Sequence, residues 1–171
     1  MVDSIQKVDL KILDYINRTG KNKMLNKSMP CITALGNYGF IWVVMSLYLL
    51  SSRIYKGEGL RVLGALALTS FLGEGIIKHI VRRRRPFDER QKDELLISKP
   101  QTYSFPSGHT ASSFAAAGIF YLTGNPLSMH MIILAFLISF SRLYLRVHFF
   151  SDILGGVLLG ISCSLMIVKV F

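Results

Sequence analysis

Three short stretches hold most of the side chains able to do chemistry: Lys78 to Pro86 (KHIVRRRRP), Phe105 to Thr110 (FPSGHT) and Ser141 to Asp152 (SRLYLRVHFFSD). The first offers cations. Lys78, Arg82 and Arg85 are spaced so that they share one face of a continuing helix, which Pro86 ends. An ammonium one turn inside an apolar run is costly without an anionic partner or ligand, so Lys78 is a functional candidate. Glu74, one turn earlier, reads as its structural partner. Arg83 and Arg84 read as solvated charges flanking a membrane segment. The second stretch places Pro106, Ser107, Gly108 and His109 where a polar loop becomes an apolar run. Pro106 suits a first helical turn, Ser107 caps it or donates a hydroxyl, and Gly108 lets a ligand approach the free N–H groups, which bind anions. In the third, His148 and Asp152 are four apart and meet if one helical face carries both; a carboxylate on one ring nitrogen fixes the tautomer and frees the other nitrogen to attack.

The elements that position these residues are apolar. Of 171 residues, 51% are hydrophobic and only 18% charged, against about 25% in average chains. No Asp, Glu, Lys or Arg occurs between Pro100 and Ser141, nor between Lys27 and Arg53; such stretches suit membrane helices of about 20 residues. The net charge of +10 therefore comes from residues flanking apolar runs, which argues against a nucleic-acid-binding face. Cys31 and Cys163 show no metal-ligand spacing and read as buried small apolar side chains.

The expected fold is an all-α, polytopic membrane bundle of about five spans preceded by an amphipathic interfacial segment, dividing the chain into residues 1–30 and 31–171. Ile5, Val8, Ile12 and Ile16 recur at helical spacing between Lys7, Lys11, Asp14 and Arg18; Gly20 to Lys27 reads as a flexible basic connection. The spans run roughly Ile32–Leu50, Val62–Val81, Pro106–Leu122, Leu127–Ser141 and Ser151–Phe171, with polar loops at Ser51–Arg61 and Arg82–Phe105. Gly156, Gly160 and Ser164 give the last span a small-residue face for a dimer or for internal packing. Alternating spans bring the end of the second, the start of the third, the end of the fourth and the start of the fifth to one side, so the three stretches converge near one membrane face.

In this order, Lys-x6-Arg-Pro, Pro-Ser-Gly-His and Ser-Arg-x5-His-x3-Asp resemble the three-part signature of the type 2 phosphatidic acid phosphatase superfamily, with Lys78, Arg85, Pro86, Pro106, Ser107, Gly108, His109, Ser141, Arg142, His148 and Asp152 all matching. The resemblance covers roughly residues 30–171. It implies a helical, metal-independent, cofactor-free phosphatase in which His148 is the nucleophile, Asp152 orients it and His109 is the general acid. It also implies that Lys78, Arg85, Ser107, the Gly108 backbone and Arg142 hold the phosphate. Positioned cations and N–H donors suit phosphoryl transfer. The loop carboxylates Asp88, Glu89, Asp93 and Glu94 alternate with Arg90 and Lys92 and read as a solvated loop. His79 reads as structural, and His130 belongs to the opposite side.

A site at the mouth of a membrane bundle suits an amphiphile whose phosphate enters while its chains stay in lipid. The expected substrate is a polyprenyl diphosphate such as undecaprenyl diphosphate, with phosphatidate or phosphatidylglycerophosphate as the alternative. Two further readings are a protein that binds or moves anionic lipid without chemistry, and a vanadate-binding haloperoxidase relative. The expected location is the cell membrane, multi-pass, with the site at the outer face. The positive-inside rule points the other way: Lys7, Lys11, Arg18, Lys21, Lys23 and Lys27 lie on the site side, against Arg53, Lys56, Arg61 and Lys169. The sequence is silent on oligomeric state.

Overall fold

Backbone in lipid must satisfy its own hydrogen bonds, so long apolar runs fold as helices. The computed structural model describes residues 2–20, 22–89 and 95–171, and these are helical without a strand. In order they form α1 (Val2–Thr19), α2 (Lys23–Leu35), a single 3-10 turn (Asn37–Gly39), α3 (Phe40–Ser51) and α4 (Lys56–Ser70). A π-helical stretch (Phe71–Ile77) continues α4 into α5 (Lys78–Val81). Then come the one-turn α6 (Pro86–Glu89), α7 (Gly108–Leu122), α8 (Ser128–Tyr144) and α9 (Phe150–Val170). Lys21, Arg90, Lys92, Asp93, Glu94 and the Glu89 side chain lie outside the described residues.

Two stretches, Lys56–Asp88 and Phe150–Val170, are long and apolar enough to cross a membrane, and the bent pair Lys23–Leu35 with Asn37–Ser51 makes a third. Large apolar side chains such as Leu47, Phe71, Phe136, Leu158 and Met166 remain exposed on the outside of the bundle, as a lipid-facing surface requires. The expected count of five is not met by this criterion. α7 and α8 have 15 and 17 residues, below the ~20 that span alone. α7 needs no lipid-facing length, because it is the central element: Ala115, Ala116, Ala117, Ile119 and Phe120 are buried in the main core with Trp42, Val62 and Ile138.

The first expected span is broken. A kink of 49° separates α2 from α3, where Gly39 (φ 70°) and Tyr38 (φ 53°) take left-handed backbone. The expected flexible connection over Gly20 to Lys27 is mostly helix, started by Asn22, whose side chain accepts the Met24 N–H at 2.8 Å. The expected polar loop Ser51–Arg61 is shorter too, since α4 starts at Lys56. α7 starts at Gly108 with Ser107 as its cap, leaving Pro106 before the helix instead of in its first turn. Cys31 is exposed and only Cys163 is buried.

α7 and α9 run parallel, and small residues set their approach. A Cβ on Gly156 would stand 2.8 Å from Ser107 O, and one on Gly160 2.5 Å from Ala111 O and 2.8 Å from Ala115 N. Ser164 Oγ would meet a Cβ on Gly118. The Gly156–Gly160–Ser164 face thus serves internal packing. Parallel alignment sends the positive ends of both helix dipoles to the same side of the bundle.

Candidate active site

Backbone bonds join the three stretches before any side chain does. Ser104 N–H donates to Arg83 O (2.9 Å) and Ser107 N–H to Asp152 O (3.0 Å), while Val147 N–H to Arg142 O (3.2 Å) folds the third stretch back on itself. A second apolar cluster, Met29, Phe87, Leu145 and Val147, seats the loop between α8 and α9. Lys78, Arg85, Ser107, Arg142, His148 and Asp152 are buried together, and His109 is half-buried at the start of α7.

The cations are held differently. In the π-helical stretch the Lys78 N–H reaches Gly73 O, five residues back. Lys78 Nζ is bound by Glu74 Oε1 (2.7 Å) and Oε2 (2.8 Å) and donates to Thr102 Oγ1 (3.0 Å), so the expected pairing with Glu74 is present. The Glu74 carboxylate lies against Gly108, where a Cβ would come within 2.4 Å of Oε1. Arg85 donates to Thr102 O (2.7 Å), Val147 O (2.7 Å) and Tyr103 O (3.2 Å). Arg142 Nη1 donates to Thr33 Oγ1 of α2 (2.7 Å), while its buried Nε has no partner. Among the described residues no carboxylate comes within ion-pair distance of Arg85 or Arg142. Two buried guanidiniums with only neutral partners carry a desolvation penalty of several kcal/mol each, which an anionic ligand offsets.

His148 and Asp152 meet, though not on one helical face. His148 precedes α9; Asp152 lies in its first turn and its Oδ2 accepts the Phe149 N–H (2.8 Å), capping the helix. That cap brings Oδ2 to 3.6 Å from His148 Nδ1. Ser104 Oγ donates to the same oxygen. On the other side of the ring, Arg85 Nη1 stands 3.2 Å from Nε2. Burial, together with Arg85 and Arg142, outweighs the raising effect of Asp152 and pushes His148 down to about 3, so the ring is neutral at ordinary pH. His109 Nε2 is 2.9 Å from Asn37 Oδ1 in the break between α2 and α3, and burial, followed by the charges of Arg142, His148, Lys78 and Arg85, pushes it down to about 2. His79 is exposed with an edge-on contact to Tyr103, and His130 is exposed.

Two expectations for the arginine run fail. The helix stops at Val81, and Arg82 takes left-handed backbone (φ 49°). Arg82 therefore does not continue the Lys78 face; its Nε turns back to His79 O (2.8 Å). Arg83 is no solvated flank. Its Nη1 binds Asp152 Oδ1 (2.7 Å) and Ser151 Oγ (2.6 Å), its Nη2 binds Asp9 Oδ2 (2.7 Å) and Gln6 Oε1 (2.6 Å), and it stacks 4.2 Å from the Phe149 ring centroid. Arg84 is exposed as expected. Sequence reasoning missed Arg83, Asp9, Ser104, Thr102, Thr33 and Asn37. A signal existed for Asp9: it falls between Ile5 and Leu13 on one side of an otherwise apolar helical face.

Residues 58–171 match the family described as the PAP2 superfamily. The chain belongs to that superfamily. It is 33% identical over 140 residues to an undecaprenyl-diphosphatase of Sulfolobus acidocaldarius, covering 80% of this chain and 67% of the relative. Its fold is similar to a transmembrane PAP2-type phosphatidylglycerolphosphate phosphatase from Bacillus subtilis (TM-score 0.77, 27% identity, covering 98% of this chain and 86% of that one). It is equally similar to Aquifex aeolicus LpxE (TM-score 0.78, 27% identity, 94% of both chains). This PAP2 chain is accordingly a membrane phosphatase, and its three signature stretches converge at one place in the fold.

Proposed function

We propose that the protein hydrolyses a lipid diphosphate, first a polyprenyl diphosphate, through a phosphohistidine on His148. The observation that carries this reading is the contact of His148 Nε2 with Arg85 Nη1. A guanidinium only donates, so Nε2 accepts, the ring proton sits on Nδ1 towards Asp152, and the lone pair lies beside the buried cations. In the proposed first step Nε2 attacks phosphorus, a P–N bond forms, and the P–O bond to the lipid product breaks. His109, carrying a second proton once the anionic substrate offsets the surrounding cations, gives its Nδ1 proton to the departing oxygen. In the second step His109 takes a proton from water, whose oxygen attacks phosphorus; the P–N bond breaks and inorganic phosphate leaves with His148 neutral again. Asn37 Oδ1 holds one ring proton of His109 and leaves Nδ1 for this exchange. Lys78, Arg85, Arg142, Ser107 and the Gly108 backbone hold the phosphoryl oxygens.

The diphosphate reading is supported by the relative named as an undecaprenyl-diphosphatase. A phosphatidylglycerophosphate-like monoester is the second reading, favoured by the Bacillus subtilis fold neighbour. α1 serves as an interfacial segment: Ile5, Val8 and Tyr15 stay exposed along it. The site belongs at the outer face of the cell membrane. The test is phosphate release from purified undecaprenyl diphosphate, undecaprenyl phosphate, phosphatidylglycerophosphate and phosphatidate, with chelator present. Release is expected with the diphosphate fastest. His109→Ala should slow monoesters more than diphosphates, because an alkoxide needs the acid more than a phosphate leaving group does; equal losses contradict the assigned acid.

A further inference from the structure

Asp9 is 1% exposed although it lies on the N-terminal helix, far in sequence from every signature residue and outside the family-matched segment. Both of its oxygens are used inside the bundle. Oδ1 accepts the Ser151 N–H (2.9 Å) at the start of α9; Oδ2 accepts Ser151 Oγ (2.5 Å) and Arg83 Nη2 (2.7 Å). Arg83 is thus shared between two buried carboxylates, Asp9 and Asp152. Asp152 in turn is the carboxylate facing His148.

We propose that Asp9 is a positioning residue for the His148–Asp152 pair, acting from α1 through Arg83 and Ser151. The claim rests on the assignment of His148 as the reacting group. The physical reason is competition for one cation. An arginine committed wholly to Asp152 would neutralise it and weaken its electrostatic support, across 3.6 Å, for the positive charge that develops on the His148 ring during attack. With Asp9 opposite, the guanidinium's charge is divided, and Asp152 keeps more of its own. The Ser151 contacts also fix the first turn of α9, from which Asp152 projects. α1 is thereby a working part of the site, and its place in the chain explains why the arginine run needs Arg83 turned inward.

The mutation that separates charge from capping is Asp9→Asn, which keeps an oxygen for Ser151 N–H and removes the charge opposite Arg83. The full-length protein in mixed micelles with undecaprenyl diphosphate should lose kcat about tenfold, the lower end of what losing an outer partner of a reacting site costs. KM and inhibition by inorganic phosphate should be unchanged, since the phosphate-holding cations are untouched. In an Arg83→Gln background, or Arg83→Met if that variant does not fold, Asp9→Asn should have little further effect on kcat. Asp9→Glu should restore part of it. Wild-type kcat in Asp9→Asn, an equal loss in both backgrounds, or a parallel rise in KM and in the phosphate inhibition constant would overturn the proposal. Should the wild type release no phosphate from any lipid tested, the phosphatase reading fails separately. The positioning link is then read from the ring 15N shifts of His148, which Asp9→Asn should move only when Arg83 is present; unmoved shifts reject it.

Discussion

Arg85 Nη1 stands 3.2 Å from His148 Nε2. This contact sets the tautomer of the proposed nucleophile, and burial keeps the ring neutral down to about pH 3, against an ordinary value of 6.5. The sign for stability follows. Below about 6.5 the unfolded chain binds a proton that the folded ring refuses, so the contribution of His148 is full above that pH and is lost as pH falls towards 3. Thermal unfolding midpoints measured at pH 7 and pH 4.5 should drop more in the wild type than in His148→Gln. Equal drops would remove His148 as a titrating contributor. Within the same window, His148 stays in its attacking form, so an acid limb of turnover near neutrality has to come from another group.

Arg83 and Arg84 are adjacent and should behave oppositely. Arg83→Ala leaves Asp9 and Asp152 buried without their shared cation. Breaking a buried pair from one side costs about 3–5 kcal/mol, and turnover should fall to a low but measurable level. Arg84→Ala, at an exposed position, should stay within about 0.5 kcal/mol of wild type. Denaturant titration and phosphate release on both variants check this.

Arg82 sits in the left-handed region with an exposed side chain that reaches only its own helix end. Glycine takes that backbone without a Cβ penalty, so Arg82→Gly should raise stability by roughly 1 kcal/mol and leave turnover intact. A loss of activity would show that the Arg82 side chain takes part in the site.

The approach of α9 to α7 tolerates no side chain at Gly160, where a Cβ meets backbone atoms at 2.5 and 2.8 Å. Gly160→Ala should destabilise by roughly 1–3 kcal/mol. It should also shift the two helix starts relative to each other, raising KM for lipid substrate. An unchanged unfolding midpoint would mean that the helices slide past each other freely.

The convergence of Lys78, Arg85, His109, Arg142, His148 and Asp152 was legible because alternating spans force four helix ends to one side. The Lys78–Glu74 pair was legible for a local reason: four residues on a helix place them side by side. What escaped was set by distant partners. Arg83 turns inward because Asp9, seventy-four positions away, waits for it, and the arginine run leaves the helix at Arg82 so that Arg83 O can accept the Ser104 N–H. The break between α2 and α3 falls at Gly36 and Gly39, inside a stretch whose charge-free composition otherwise suits one continuous span. His148 and Asp152 were paired correctly by spacing, although a helix cap and not a shared face brings them together.

The central claim is that His148 carries the phosphoryl group. It is tested most directly by acid-free quenching of the full-length enzyme during turnover of terminally 32P-labelled undecaprenyl diphosphate, followed by mapping of the labelled peptide. The predicted result is a base-stable, acid-labile label on His148, absent in His148→Ala along with phosphate release. Continued phosphate release by His148→Ala, or a label on any other residue, would contradict the account.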